Sequence, residues 1–468
     1  MRHATLAIVV VSVAAGTAGA ADSSHGEYFE HYQGTATCLE CHEDEAKDFF
    51  HTEHYQWRGQ TPQVANSDGD MHGKLDMIND FCTNPQPNWI GEVTNDDGKV
   101  LAAGCSKCHA GFGLMPSDEL SREQLENIDC LVCHASGYRR GVYQNDDGSW
   151  EWRPILWKNQ EGLDSVSKRI SRPTRTMCLR CHSASGGGPN YKRGDIEYTL
   201  AKDADPHFDV HMSPDGADLH CVDCHAGDNH RVVGRGADLV STDSPEARLS
   251  CADGSCHEAT PHRQELINRH ADRIACNVCH TPTFAKDEPT DMFRDWSAGG
   301  WDEDKGKYAP HIEVAADVVP TYAWYDGTTR VQLPRTPVEL DDEGRVMMAV
   351  PVGDRSDPGS KIHAFKVHRG RLPVLQAARW IGPITTEEYY RHGDIDLAVR
   401  EAAEIYYGLH DVDYEWVETI RYMGIYHEVQ PAEHALGCLD CHGPDGRLDW
   451  TALGYDADPL ASLLAASH

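Results

Sequence analysis

Eight times in this 468-residue chain a pair of cysteines is followed at once by a histidine. The triplets are Cys38, Cys41 and His42; Cys105, Cys108 and His109; Cys130, Cys133 and His134; Cys178, Cys181 and His182; Cys221, Cys224 and His225; Cys251, Cys256 and His257; Cys276, Cys279 and His280; and Cys438, Cys441 and His442. Seven have the spacing C-x-x-C-H, which attaches c-type haem. Two cysteines form thioethers to the macrocycle, and the adjacent histidine ligates the iron. The sixth triplet has a longer loop, CADGSCH, that still lets both sulfurs reach one macrocycle. Structural zinc would need two pairs converging on one metal, with histidines at looser spacing. The reading is eight covalently bound haem c groups, and so redox chemistry.

A low-spin electron-carrying haem takes a second axial ligand, commonly histidine. After the eight triplets, twenty of the 28 histidines remain. The candidates stand near triplets or in aromatic and Gly-rich surroundings: His54, His211, His230, His262, His270, His363 (or its neighbour His368) and His427.

The elements that must position these residues are less plainly written. Only 40% of the chain is apolar, so the haems themselves are expected to form much of the core. The expected fold is mainly α with irregular loops and little β, organised around a packed array of eight haems. Residues 1–20 read as a signal peptide, and 21–290 as the haem-rich region with seven triplets. Residues 291–437 read as a triplet-free helical and loop region packing on the haem core, and 438–468 as the eighth triplet and a loose tail. Within 291–437, residues 345–352 and 361–367 are β-like. Ile395, Ala398, Ala402, Ile405 and Leu409 follow helical spacing.

The leader has a basic start (Arg2), an apolar run from Leu6 to Ala15 and a small-residue cleavage site at Ala18-Gly19-Ala20. Cleavage near Ala20/Ala21 and a periplasmic location are expected, with no membrane span afterwards. The net charge of −33 disfavours nucleic acid and suits basic patches on an electron donor, either a cytochrome or a quinol-linked protein.

Several runs resemble the octahaem tetrathionate reductases, related more distantly to hydroxylamine oxidoreductase and octahaem nitrite reductase. They include GCSKCHAGFG (104–113), ENIDCLVCH (126–134), SRPTRTMCLRCHSASGGGPNYKRGDIE (171–197), HAFKVHRG (363–370) and MGIYHEVQPAEHALGCLDCHG (423–443). The resemblance implies seven electron-carrying haems and one catalytic haem, at Cys105, Cys108 and His109. Its distal ligand would be a lysine, Lys192 in the loop after Gly186-Gly187-Gly188, with Lys168 as second candidate. A cysteine close to the catalytic haem is also implied. The one cysteine left over from the triplets is Cys82, and an odd thiol in an exported chain calls for a role.

The implied reaction is two-electron cleavage of tetrathionate to two thiosulfates. Lys192, with Arg193 and Arg175 nearby in sequence, would draw an anion into an acidic protein. Reduction of nitrite or hydroxylamine at the same site is one alternative. A non-catalytic electron-transfer protein is another.

Overall fold

The structure is a computed structural model. It describes residues 25–461 apart from 82, 84, 86–88, 91, 92, 95–99, 103, 157, 159, 160, 235–241, 245, 246, 248 and 253–255. Residues 1–20, read as a signal peptide, and Cys82 therefore lie outside the described residues, as does the side chain of Cys105.

Seven of the eight cysteine triplets sit on or beside short helices: Thr35–Leu39, Leu131–His134, Arg175–His182, Cys221–Cys224, Cys276–His280 and Cys438–Cys441, with a 3-10 turn at Cys105–Lys107. One or two turns suffice, because a single helical turn brings both sulfurs and the following histidine to one side.

The expectation of a mainly α fold with little β is overturned. Residues 290–424 build an eight-stranded mixed sheet, so the 291–437 region is not chiefly helix and loop. Its order is Lys307–Ala315, Thr290–Asp302, Lys361–Leu375, Tyr414–Gly424, Val346–Pro351 and Thr329–Val331. Thr321–Tyr325 and Trp380–Ile381 pair with the two ends of the Lys361–Leu375 strand. That strand is the axis of the sheet. It runs antiparallel to Tyr414–Gly424 over eleven residue pairs and parallel to Thr290–Asp302 at Arg369–Arg371.

A glycine and a proline lie within the sheet. Gly299 is in a strand because a Cβ there would meet the Tyr389 hydroxyl at 1.7 Å. Pro310 sits at an irregularity in the edge strand Lys307–Ala315, where a missing N–H costs no ladder bond.

Side chains of one strand alternate between faces. Along Lys361–Leu375, one face runs apolar, polar, then apolar. Ile362 and Ala364 join a cluster with Val278, Phe284, Leu448 and Leu453. Leu372 and Val374 join another with Trp296, Met348, Ala398 and Val399. Between them stand Lys366 and His368, both fully buried.

The helix read from 395, 398, 402, 405 and 409 spans Ile395–Tyr407, capped by Asp394 and ended by left-handed Gly408. It packs on the sheet cluster; its buried stripe is Ala398, Val399, Ala402 and Ala403, while Ile405 is exposed. The segment after Trp450 is no loose tail as far as 461. Leu453 is buried, and its carbonyl accepts from Trp324 Nε1 at 2.9 Å. No helix among the described residues is long and apolar enough to cross a membrane.

Candidate functional site: seven histidine pairs and one exception

Seven of the eight triplet histidines face a second histidine ring. The pairs are His42 with His25 (6.1 Å between ring centres), His134 with His230 (6.2 Å), His182 with His54 (6.2 Å) and His225 with His427 (6.2 Å). The others are His257 with His211 (6.0 Å), His280 with His262 (6.3 Å) and His442 with His270 (6.4 Å). An imidazole nitrogen binds a transition metal at about 2.0 Å and lies about 1.1 Å from its own ring centre, so two rings on opposite sides of one metal stand about 6.2 Å apart. The spacing therefore fits one metal between each pair. It recurs within a few tenths of an ångström in all seven pairs.

Second partners fix the outer nitrogens. The Nδ1 atoms of His134, His225 and His270 meet the carbonyls of Ser171, Val233 and Leu266 at 2.9–3.0 Å. Those of His427 and His442 meet carboxylates, Asp195 at 3.1 Å and Asp458 at 2.7 Å. Such bonds orient a ligating imidazole and leave its other nitrogen for the metal. Burial pushes His182 down to about 3, so it stays neutral, as ligation requires.

The triplets also approach one another at their cysteines. Cys38 lies close to Cys130, Cys108 to Cys181, Cys178 to Cys221, and Cys251 to Cys276. Cys133 lies beside Cys181, Cys224 beside Cys256 and Cys279 beside Cys441. In triplet order this is a line, 1-3-4-5-6-7-8, with the second triplet joined at the fourth.

His109 is the exception. It is fully buried, and the rings near it are Tyr55 (4.9 Å), Trp89 (4.9 Å) and Trp57 (5.9 Å). Its Nε2 donates to the Tyr55 carbonyl at 2.7 Å, while Nδ1 is buried without a partner. A neutral imidazole with one nitrogen anchored and the other unsatisfied suits metal ligation. Burial lowers its pKa to about 4. Arg140 fastens the neighbourhood through the carbonyls of His109 and Gly111 and through Asp129 (3.0 Å), which precedes the third triplet.

Comparison with known proteins bears on what binds here. A family model described as "Cytochrome c bacterial" matches residues 286–445. The chain is of one family with an uncharacterized protein of Archaeoglobus fulgidus, 35% identical over 249 residues, which are 47% of this chain and 81% of that protein. It is also similar to the octaheme cytochrome c of Shewanella oneidensis. The identity is 28% with a TM-score of 0.72, over 91% of this chain and 94% of that one. The chain belongs to the multihaem c-type cytochromes.

In this cytochrome the cysteines of the triplets would hold covalently bound haem c, and the histidine pairs would ligate iron from both sides. The protein is thus an oxidoreductase or electron-transfer protein. Six of the partner histidines read from sequence, His54, His211, His230, His262, His270 and His427, face a triplet histidine. His363 does not. It lies on the Lys361–Leu375 strand against Tyr325 (5.3 Å) and Phe365 (6.4 Å). Its place is taken by His25, thirteen residues before Cys38 in a polar stretch that carries no sequence signal. His368, the other reading of that motif, is buried against Asp291 (3.2 Å) and the Phe81 ring (4.3 Å).

Lys192 lies half-buried in the loop that follows the fourth triplet, whose Cys181 lies close to Cys108 of the second. Lys168 is elsewhere on the surface, donating to the Glu30 carbonyl at 3.0 Å over the Phe29 ring. Arg193 donates to the Gly424 carbonyl (2.9 Å) beside Asp195 (3.7 Å). Arg175 is tied to Asp218 and the Met212 carbonyl, which leaves little of its charge for an incoming anion.

Proposed function

We propose that this cytochrome is an exported octahaem reductase that cleaves tetrathionate to two thiosulfates. The observation that carries the reading is the inequality of the eight triplets. Seven histidines face a second histidine, whereas His109 faces aromatic rings. Seven sites of one kind suit electron carriage, and the odd one suits chemistry.

Bound haem would supply single-electron carriers at all eight triplets and an exchangeable coordination position at the second. His109 would be the proximal ligand there and Lys192 the distal one. A lysine binds metal as a neutral amine and, when protonated, is a compact cation that draws in an anion. Lys192 thus serves both states without a second residue. Electrons would run along the line of triplets and reach the second through the fourth, supplied by a donor cytochrome or quinol-linked protein that docks on the acidic surface. Residues 1–20 would direct the chain to the periplasm and be removed near Ala20/Ala21.

Cys82 adds a route that only a sulfur substrate can use. Its thiolate attacks a central sulfur of tetrathionate, forms a mixed disulfide and releases one thiosulfate. Two electrons then cleave the bond to Cys82, releasing the second thiosulfate and restoring the thiolate.

Steady-state rates for tetrathionate, nitrite and hydroxylamine, measured side by side on wild-type and Cys82→Ser proteins, test this. Tetrathionate should turn over fastest, and Cys82→Ser should slow it more than nitrite. Faster reduction of nitrite or hydroxylamine would make the protein a nitrogen-oxide reductase. No turnover of any would leave it an electron carrier.

A further inference from the structure

The loop carrying Lys192 has little secondary structure of its own, and its buried carbonyls need donors. Two buried basic side chains from the sheet provide them. Lys366, fully buried in the Lys361–Leu375 strand, donates to the carbonyls of Tyr191 (2.7 Å) and Lys192 (3.0 Å) and to the Thr290 hydroxyl (2.6 Å). Those three contacts use all the donors an ammonium has. Arg294, in the Thr290–Asp302 strand and 3% exposed, donates to the Gly186 carbonyl (2.6 Å) at the other end of the loop. The same guanidinium donates to the Phe81 carbonyl (3.2 Å) and lies 5.0 Å from the Phe81 ring. Asp291 orients it at 2.7–2.8 Å, and His368 in turn donates to Asp291.

The gripped pieces touch each other. A Cβ on Gly186, which is left-handed at φ +88°, would lie 3.1 Å from Lys192 Cβ and 3.2 Å from the Phe81 ring. One patch of sheet therefore sets the register of two separate segments: the one carrying Lys192, and the one whose next residue is Cys82.

We propose that Lys366 and Arg294 are positioning residues that seat the Lys192 amine against the haem of Cys105, Cys108 and His109. This rests on Lys192 being the distal ligand. The polar step in an otherwise apolar strand face is then part of the active site's frame. Lys366 fixes the carbonyls on both sides of the Lys192 Cα, so the side chain starts from a defined point. Arg294 ties Gly186 to Phe81, which keeps the loop closed over the site. Burial pushes the Lys366 amine well below its ordinary range and Asp291 and Asp195 pull it back up, while its three acceptors at 2.6–3.0 Å match the three donors of an ammonium.

The test compares Lys366→Met with Lys192→Ala in the full haem-loaded protein, reading the ligand set of each haem by magnetic and optical spectroscopy. Methionine keeps the buried stem and removes the donor. Lys192→Ala should change one haem and leave seven. Lys366→Met should change that same haem in part or whole, although Lys192 is present, and leave the other seven. If Lys192→Ala changes one haem and Lys366→Met changes none, the positioning role is overturned and the lysine ligand stands. If neither changes any haem, the lysine ligand falls and the positioning role with it. Should Lys366→Met load fewer haems than wild type, Arg294→Lys decides between the same outcomes, since it keeps the charge but loses the fork that spans Gly186 and Phe81.

Discussion

Residues 35–280 and residues 290–424 of this one chain solve the core problem in opposite ways. In the first, the triplets ride on helices of four to eight residues, too short to hold alone. The apolar clusters there are small, such as Leu179, Leu200, Ala201, Ala204 and Phe208. What recurs is the pair of histidines spaced for a metal. In the second, a sheet of eight strands buries Trp296, Val346, Met348, Leu372, Val374 and Ile384 against the helix Ile395–Tyr407. One part borrows its core from its cofactors, and the other owns one. The sheet is therefore the rigid element from which a site among haems can be held.

The largest expected effect follows directly. Chain produced without haem attachment should keep slow amide exchange in Lys361–Leu375 and Tyr414–Gly424 while Thr35–Leu39, Leu131–His134 and Arg175–His182 exchange as an unfolded chain. Equal loss of protection in both parts would show that the sheet too depends on haem.

A smaller effect is confined to the frame. Asp80 is fully buried, and its carboxylate accepts from Arg421 at 2.8 Å and from Thr419. Burial would raise its pKa, but Arg421 and His368 outweigh that and leave it lowered. A lowered carboxyl stabilises the fold at pH above its unfolded value, about 3.9, and loses that contribution as pH falls through the lower folded value. Asp80→Asn should cost about 3 kcal/mol at neutral pH, the lower end for breaking a buried pair. The gap to wild type should begin to narrow below about pH 4 and shrink further as pH falls. Denaturation curves at pH 7 and pH 3 check it; a gap of the same size at both would assign the cost to packing.

The smallest effect lies at the join between the two parts. Asp195 holds the Nδ1 of His427, just past the Tyr414–Gly424 strand, while His427 faces His225 of the fifth triplet. A carboxylate partner makes an imidazole a stronger donor and favours oxidised iron. Asp195→Asn should raise one haem potential by about 60 mV, a tenfold change in a one-electron equilibrium. Spectropotentiometry reads it; no shift would mean that Asp195 only shapes the loop.

The cofactor region is legible in the sequence because its chemistry is local. A thioether site is four or six residues long, and six of the partner histidines stand in recognisable surroundings. His25 is not legible, since nothing in a polar stretch says which distant ring a histidine will face. The sheet is hidden for a different reason. Strand signals rest on alternating apolar residues, and the strands nearest the Lys192 loop spend their inward positions on Asp291, Arg294, Lys366, His368 and Arg421, all buried. These buried polar side chains displace the alternation that would have shown the fold. The apolar ends of Lys361–Leu375 keep it, which is why 361–367 reads as β-like.

The central claim is that one haem differs from seven. The most direct measurement is a count of axial ligand sets in the oxidised wild-type protein by low-temperature magnetic circular dichroism and electron paramagnetic resonance, scaled to haem content. The account predicts eight haems, seven with two histidines and one with a histidine and an amine, the last lost in Lys192→Ala. Eight haems with two histidines each, unchanged in that variant, would contradict it.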